Sequence, residues 1–176
     1  MTELAEVKEY SLSDADIRKM LGSNISIMTY PELKFIKNID DCFDDKGRCI
    51  LLFLTENEHS GHWTALLKSQ AGILFFDPYG EAPDAQKKGI PASQLQALDE
   101  TQPYLTNLLR ASGHKVTYSH IKFQKDKVGI NTCGRWCIAR CLFANKSDAE
   151  FKNMITKSGL SNDDFVAALV ADKLGK

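Results

Sequence analysis

No apolar run in this sequence approaches the roughly 18 residues that a membrane-spanning helix needs, so no membrane partner is expected. An excess of one charge is also missing. The 22 Lys and Arg residues face 23 Asp and Glu, leaving a formal net charge of −1. That balance argues against a protein whose main business is nucleic acid, and the local cluster of Lys122, Lys125 and Lys127 reads as solvated loop lysines. There is no internal repeat and no low-complexity tract. A disulfide framework is lacking too. The five cysteines (Cys42, Cys49, Cys133, Cys137 and Cys141) are odd in number and irregularly spaced, which predicts reduced thiols and an intracellular setting. The start of the chain is polar and acidic rather than leader-like.

What is there is an ordinary globular composition, 43% hydrophobic and 26% charged over 176 residues. One domain spanning 1–176 is expected, large enough for its own core. Residues 1–10 read as a polar lead-in. Ser13 with Asp14 and Asp16 signals a helix start, and Ile17, Met20 and Leu21 give that helix an apolar face before Gly22 ends it. Ile25–Met28 is a strand candidate. Pro31 suits the first turn of a helix running to about Phe43, with Leu33, Ile36 and Ile39 inward. The run Cys49–Thr55 is continuously apolar, as in a strand covered on both faces. His62–Lys68 and Ile73–Asp77 follow across short connections, which predicts an antiparallel meander. A long irregular loop spans Pro78 to Pro91, and a helix runs from about Pro103 to Ser112, stopped by Gly113. Lys115–Ser119 alternates like a fourth strand. Helices are expected from Cys133, from Ala149 to Lys157 and from Ser161 to Leu174. Helices at both ends and strands between them predict an α+β fold.

The chemistry gathers at Asn131–Cys141. Apolar positions recur there at helical spacing from Cys133 onward, and Asn131 and Thr132 are residue types that cap a helix start. Cys133 would then sit at the positive end of the helix dipole, which favours the thiolate, and Gly134 would leave the backbone open to another molecule. A nucleophilic thiol needs a base, and the base needs an orienting partner. His62 opens one strand and Asp77 closes the next. In an antiparallel pair those two ends are neighbours. His59, His114 and His120 are rival bases. Cys133, Cys137 and Cys141 share a helix face and could ligate zinc. With no fourth ligand at a metal-site spacing, one nucleophile and two buried thiols is the preferred reading, with no metal or other cofactor.

Gly61-His62-Trp63, Phe76-Asp77-Pro78-Tyr79-Gly80 and Thr132-Cys133-Gly134-Arg135-Trp136-Cys137, in this order, resemble the His…Asp…Cys-Gly signature of the adenain and Ulp1-like cysteine peptidases. Within that group the stronger likeness is to the maturation proteases of virophages, Polinton-type elements and related DNA viruses. Ser13–Lys19 and Lys122–Lys125 also resemble stretches of those proteins. The resemblance implies a central mixed sheet with the cysteine helix packed against it, and a catalytic set of Cys133, His62 and Asp77. It further implies an oxyanion-hole glutamine at Gln124, with Asn131 as the alternative because the loop from Gln124 to Cys133 is long. Trp63 would pack beside the imidazole and, with Gly134, meet the substrate. The implied activity is endopeptidase cleavage of viral capsid precursors in the host cytoplasm, viral factory and virion. A protease for ubiquitin-like modifiers is the alternative within the same group. An acyltransferase and a scaffold without activity fit the residues less well. Some members of the group are activated by a peptide or by nucleic acid, and the near-neutral charge argues against a strong nucleic-acid requirement here.

Overall fold

The computed structural model describes residues 2–57, 60–127 and 130–174. Five strands form one mixed sheet in the order β1-β2-β3-β4-β5: Ser26–Thr29, Arg48–Asn57, Ser60–Ser69, Gly72–Phe76 and Val116–Tyr118. The centre is the expected antiparallel meander of β2, β3 and β4, and the flanking strands β1 and β5 each run parallel to their neighbour. The helices are α1 (Thr2–Glu9), α2 (Asp14–Leu21), α3 (Ala92–Ala97), α4 (Tyr104–Ala111), α5 (Cys133–Leu142), α6 (Asp148–Lys157) and α7 (Asn162–Leu174). The fold is α+β, with the mixed sheet packed against helices.

The apolar run of β2 explains the layering. Ile50, Leu52 and Leu54 join a core with Ala65, Phe76, Trp136, Ile138 and Phe151 on the α5 side. Cys49, Leu51 and Phe53 alternate into a second core with Tyr30, Leu33, Phe75, Leu105 and Leu109. Successive side chains of a strand point to opposite faces, so an unbroken apolar run feeds both cores at once. Burying each large apolar side chain stabilises the fold by about 1.5–3 kcal/mol. Helix α2 starts as its sequence predicts. The Ser13 hydroxyl accepts from the Asp16 N–H at 3.2 Å, and the Asp16 carboxylate accepts from the Ser13 N–H at 3.1 Å.

Three expectations are corrected. Residues 2–9 are not a polar lead-in but α1, which packs on α7 and is tied to it by an ion pair of 2.8 Å between Lys8 and Asp164. The single helix expected from Pro31 to Phe43 is two short 3₁₀ turns, Tyr30–Phe35 and Ile39–Cys42. Ile36 between them is extended, and Asn38 starts the second turn by accepting from the Asp40 N–H. A side chain that caps locally competes with helix continuation. The loop from Pro78 to Pro91 is not wholly irregular, since it holds a 3₁₀ turn at Ala85–Gly89, and α3 follows directly after it. A buried polar network clips this segment to the sheet. The Lys87 ammonium donates to the Tyr30 hydroxyl and to the carbonyls of Glu100 and Gln102, and the Glu100 carboxylate accepts from the Leu54 N–H of β2 at 2.8 Å.

Candidate active site

Cys133 is the first residue of α5, at the end of the helix nearest β3. Only 8% of it is exposed. Thr132 precedes it, but its hydroxyl does not cap the helix. It donates instead to the Asp163 carboxylate at 2.6 Å, which also accepts from the Trp136 indole and the Lys125 N–H. The predicted cap therefore anchors α5 to the start of α7, leaving the first-turn N–H groups free to act on the sulfur.

His62 pairs with Phe53 near the start of β3, and Asp77 lies one residue beyond β4. The antiparallel register brings them together, and the His62 Nε2 to Asp77 Oδ1 distance is 2.7 Å with both side chains buried. Because Nε2 is taken by the carboxylate, Nδ1 is the nitrogen left for Cys133. Burial opposes charge on the imidazole. Hydrogen bonds to Asp77 and Cys133 outweigh it and push the His62 pKa up to about 10. Burial likewise opposes a thiolate at Cys133. The bond and charge of His62, aided by the backbone N–H groups of Trp63 and Gly134, outweigh it and hold the thiol below its ordinary value. Both shifts favour the same state, a thiolate facing an imidazolium.

The other cysteines are driven the opposite way. Burial raises Cys137 well above the usual thiol range, pushes Cys141 up to about 12 and Cys42 up to about 11, and raises Cys49. Among the described residues, no group of three or more His, Cys, Asp or Glu side chains is placed to hold a metal ion.

Gln124 is buried. Its backbone N–H and that of Phe123 both donate to the Pro78 carbonyl, at 3.0 and 2.9 Å. Its side-chain amide donates to the Tyr79 hydroxyl and the Ile130 carbonyl, each at 3.3 Å. Asn131, the alternative, is turned away. Its amide donates to the Glu9 carbonyl at 2.8 Å and its backbone N–H to the Lys8 carbonyl at 2.7 Å, so its donors are engaged by the N-terminal segment.

Trp63 and Gly134 depart from expectation. The close approach that Gly134 permits is taken by the chain itself. A Cβ there would lie 3.1 Å from Leu12 Cβ and 3.2 Å from Trp63 Cδ1. The Trp63 indole donates to the Leu12 carbonyl at 3.0 Å, and its other side lines a groove of about 430 Å³ with Leu12, Ile27, Met28 and Leu52. A larger cavity of about 690 Å³ opens near the far end of α5, beside Cys141 and Arg140. It lies away from the Cys133 end and has no part in this chemistry.

The ring beside the imidazole is Tyr79, not Trp63. It stacks on His62 with centroids 4.7 Å apart and planes 15° from parallel. In the sequence Tyr79 reads only as part of a turn motif, and its place directly after the Asp-Pro pair is the signal that points to it. The rival bases sit elsewhere. His114 pairs with Asp40 at 2.9 Å, and His120 packs on Tyr118. His59 lies outside the described residues.

A thiol, an imidazole and a carboxylate thus converge where a helix meets the end of a mixed sheet, which defines a thiol–imidazole–carboxylate site on an α+β scaffold. The sequence is 38% identical over 156 residues to a protein of Sputnik virophage named "Uncharacterized protein V9", covering 88% of this chain and 89% of that one. The chain belongs to the same family as that virophage protein. No protein-family model matches it. Among solved structures it is similar to one described as the SUMO protease Ulp1 with its catalytic cysteine oxidised to a sulfinic acid. That match covers 93% of this chain and 79% of the other at 14% identity, with a TM-score of 0.38, a level at which the likeness carries no argument here.

Proposed function

We propose that this protein is a cysteine endopeptidase of the adenain-like type that cleaves viral capsid and other virion precursor proteins during maturation. The observation that carries the reading is the pairing of opposite shifts. One of five buried thiols is lowered, and it faces an imidazole that is raised and bonded to a buried carboxylate. The Cys133 thiolate attacks the scissile carbonyl carbon, forming a C–S bond as the carbonyl π pair moves to oxygen. The Cys133 N–H and the Gln124 amide stabilise that oxyanion, a contribution of about 10²–10³ in rate per donor. The amide exchanges its bond to the Ile130 carbonyl for the one to the oxyanion while it keeps the bond to Tyr79. The His62 imidazolium protonates the leaving amine as the C–N bond breaks. Neutral His62 then takes a proton from water, which attacks the thioester and releases the acid and the thiolate. Asp77 holds the ring throughout. Membership in the same family as a virophage protein supports the viral setting, and the proposed place of action is the infected cell and the particle.

The test is mass spectrometry of the major virion proteins before and after exposure to the enzyme. New termini should appear with the native chain and should not appear with Cys133→Ser. Labelling of Cys133 by a ubiquitin- or SUMO-type probe, without clipping of any virion protein, would instead favour a modifier protease.

A further inference from the structure

We propose that Tyr79 is a positioning residue that couples the base to the oxyanion donor, through its ring on one side and its hydroxyl on the other. This rests on the roles proposed above for His62, Asp77 and Gln124. Tyr79 touches all three. Its ring lies face to face on the His62 imidazole at 4.7 Å and 15°. Its backbone N–H donates to Asp77 Oδ1 at 2.8 Å, the same oxygen that holds His62. Its hydroxyl accepts from the Gln124 amide at 3.3 Å.

The turn Asp77-Pro78-Tyr79-Gly80 fixes this geometry. The Gly80 N–H donates to the Asp77 carbonyl at 2.8 Å, and Gly80 has a φ of 74°, in the left-handed region that glycine tolerates. A Cβ at Gly80 would meet the His120 carbonyl at 2.9 Å, so the turn is seated on the segment leading to Gln124. The Pro78 carbonyl receives the N–H groups of Phe123 and Gln124. One turn therefore carries the carboxylate, the stacking ring and the anchor of the glutamine.

Two separate effects follow. An aromatic face over an imidazolium stabilises the cation, and with it the thiolate. The hydroxyl fixes where the Gln124 amide points, which matters only when an oxyanion forms. The charged or titratable groups that act on Tyr79 are Cys133, Asp126, Asp77 and Asp163, together with the Lys122 ammonium 5.8 Å from its ring centroid, and those that act on His62 are Asp77 and Cys133.

Two probes separate the effects without needing the natural substrate. Alkylation of Cys133 by iodoacetamide reads the thiolate and forms no oxyanion, whereas acylation by p-nitrophenyl acetate forms one. Tyr79→Phe keeps the ring. It should leave the alkylation pH profile unchanged and slow acylation about tenfold, with no further loss when combined with Gln124→Ala. Tyr79→Leu removes both and should also move the acid limb of alkylation upward by about half a pH unit. Wild-type acylation in Tyr79→Phe, or losses from Tyr79→Phe and Gln124→Ala that simply add, would overturn the coupling to Gln124. An unmoved alkylation profile in Tyr79→Leu would overturn the stacking role. Should Tyr79→Leu fail to fold, Tyr79→Phe with the Gln124 cycle still decides the coupling, and Tyr79→Met, which fills the same space without an aromatic face, decides the stacking by the same shift of the alkylation profile. If no protein substrate is ever cleaved, the peptidase reading falls while both probes still report on Tyr79.

Discussion

Cys133 and Cys137 stand one turn apart on α5, both buried, yet their thiols are driven in opposite directions. Cys137 belongs to the apolar core, and burial, with like charge from Cys133, Cys141 and Asp77, raises it well above the thiol range. Cys133 is buried too, and burial pushes it the same way, but His62 and two backbone N–H groups more than reverse the effect. Burial makes a thiol inert, and a buried thiol becomes reactive only where a cation and donors are built around it. The helix mouth supplies one donor, the Gly134 N–H, and β3 supplies the other, the Trp63 N–H, together with the His62 cation.

The largest expected effect exploits that contrast. Cys133→Ala should abolish turnover of virion precursors and of p-nitrophenyl acetate, while Cys137→Ala retains it. Activity lost only in Cys137→Ala would invert the comparison. Next is His62→Ala, which removes the cation itself and should lower acylation by about 10³-fold. It should also return the alkylation profile of Cys133 toward that of an ordinary thiol. Asp77→Asn keeps a group beside His62 but removes the charge that favours imidazolium, and a smaller loss of about 10² is expected.

The pH dependence sharpens the same contrast. The folded His62 value is raised from 6.5 to about 10. Its contribution to stability is therefore complete below about 6.5 and is lost as pH rises through about 10. Cys133 is lowered from 9.0, so its contribution is present above 9.0 and is lost as pH falls through its lower folded value. Between the lowered thiol value and about 10 the two coexist as an ion pair. Iodoacetamide labelling of native Cys133 should thus reach its plateau at a lower pH than labelling of the urea-unfolded chain, which rises with pH toward 9.

Much of this was legible because it depends on local rules. The apolar run of β2, the short connections of the meander and the Ser13 cap each specify their own structure. Antiparallel adjacency alone then sets His62 beside Asp77. What escaped depends on contacts distant in sequence. The eight residues of α1 have too little apolar content and length to signal a helix, and they are held by α7. Thr132 and Asn131 have the chemistry of caps, but Asp163 and the Glu9 carbonyl, far away in sequence, claim them first. Gly134 reads from the sequence as room for a ligand because nothing nearby in sequence shows that Leu12 and Trp63 fill that room. Tyr79 escaped for a different reason, since turn chemistry explains Pro78 and Gly80 but says nothing about the residue between them.

The smallest predicted effect concerns the outer side of the helix mouth. Carbonyls of the segment from Lys8 to Leu12 receive the Asn131 backbone and amide, the Arg135 guanidinium at 2.5 Å and the Trp63 indole. The residues flanking Cys133 are thus held from the N-terminal segment as well as from the sheet. If the sheet edge dominates, Asn131→Ala removes one exposed bond and should cost at most about 1 kcal/mol in urea unfolding. It should leave the rate of Cys133 alkylation within about twofold of native, because neither His62 nor the first-turn N–H groups are touched. An Asn131→Ala chain that alkylates as slowly as Asp77→Asn would mean that the reactive thiol is set as much by its N-terminal strap as by its imidazole.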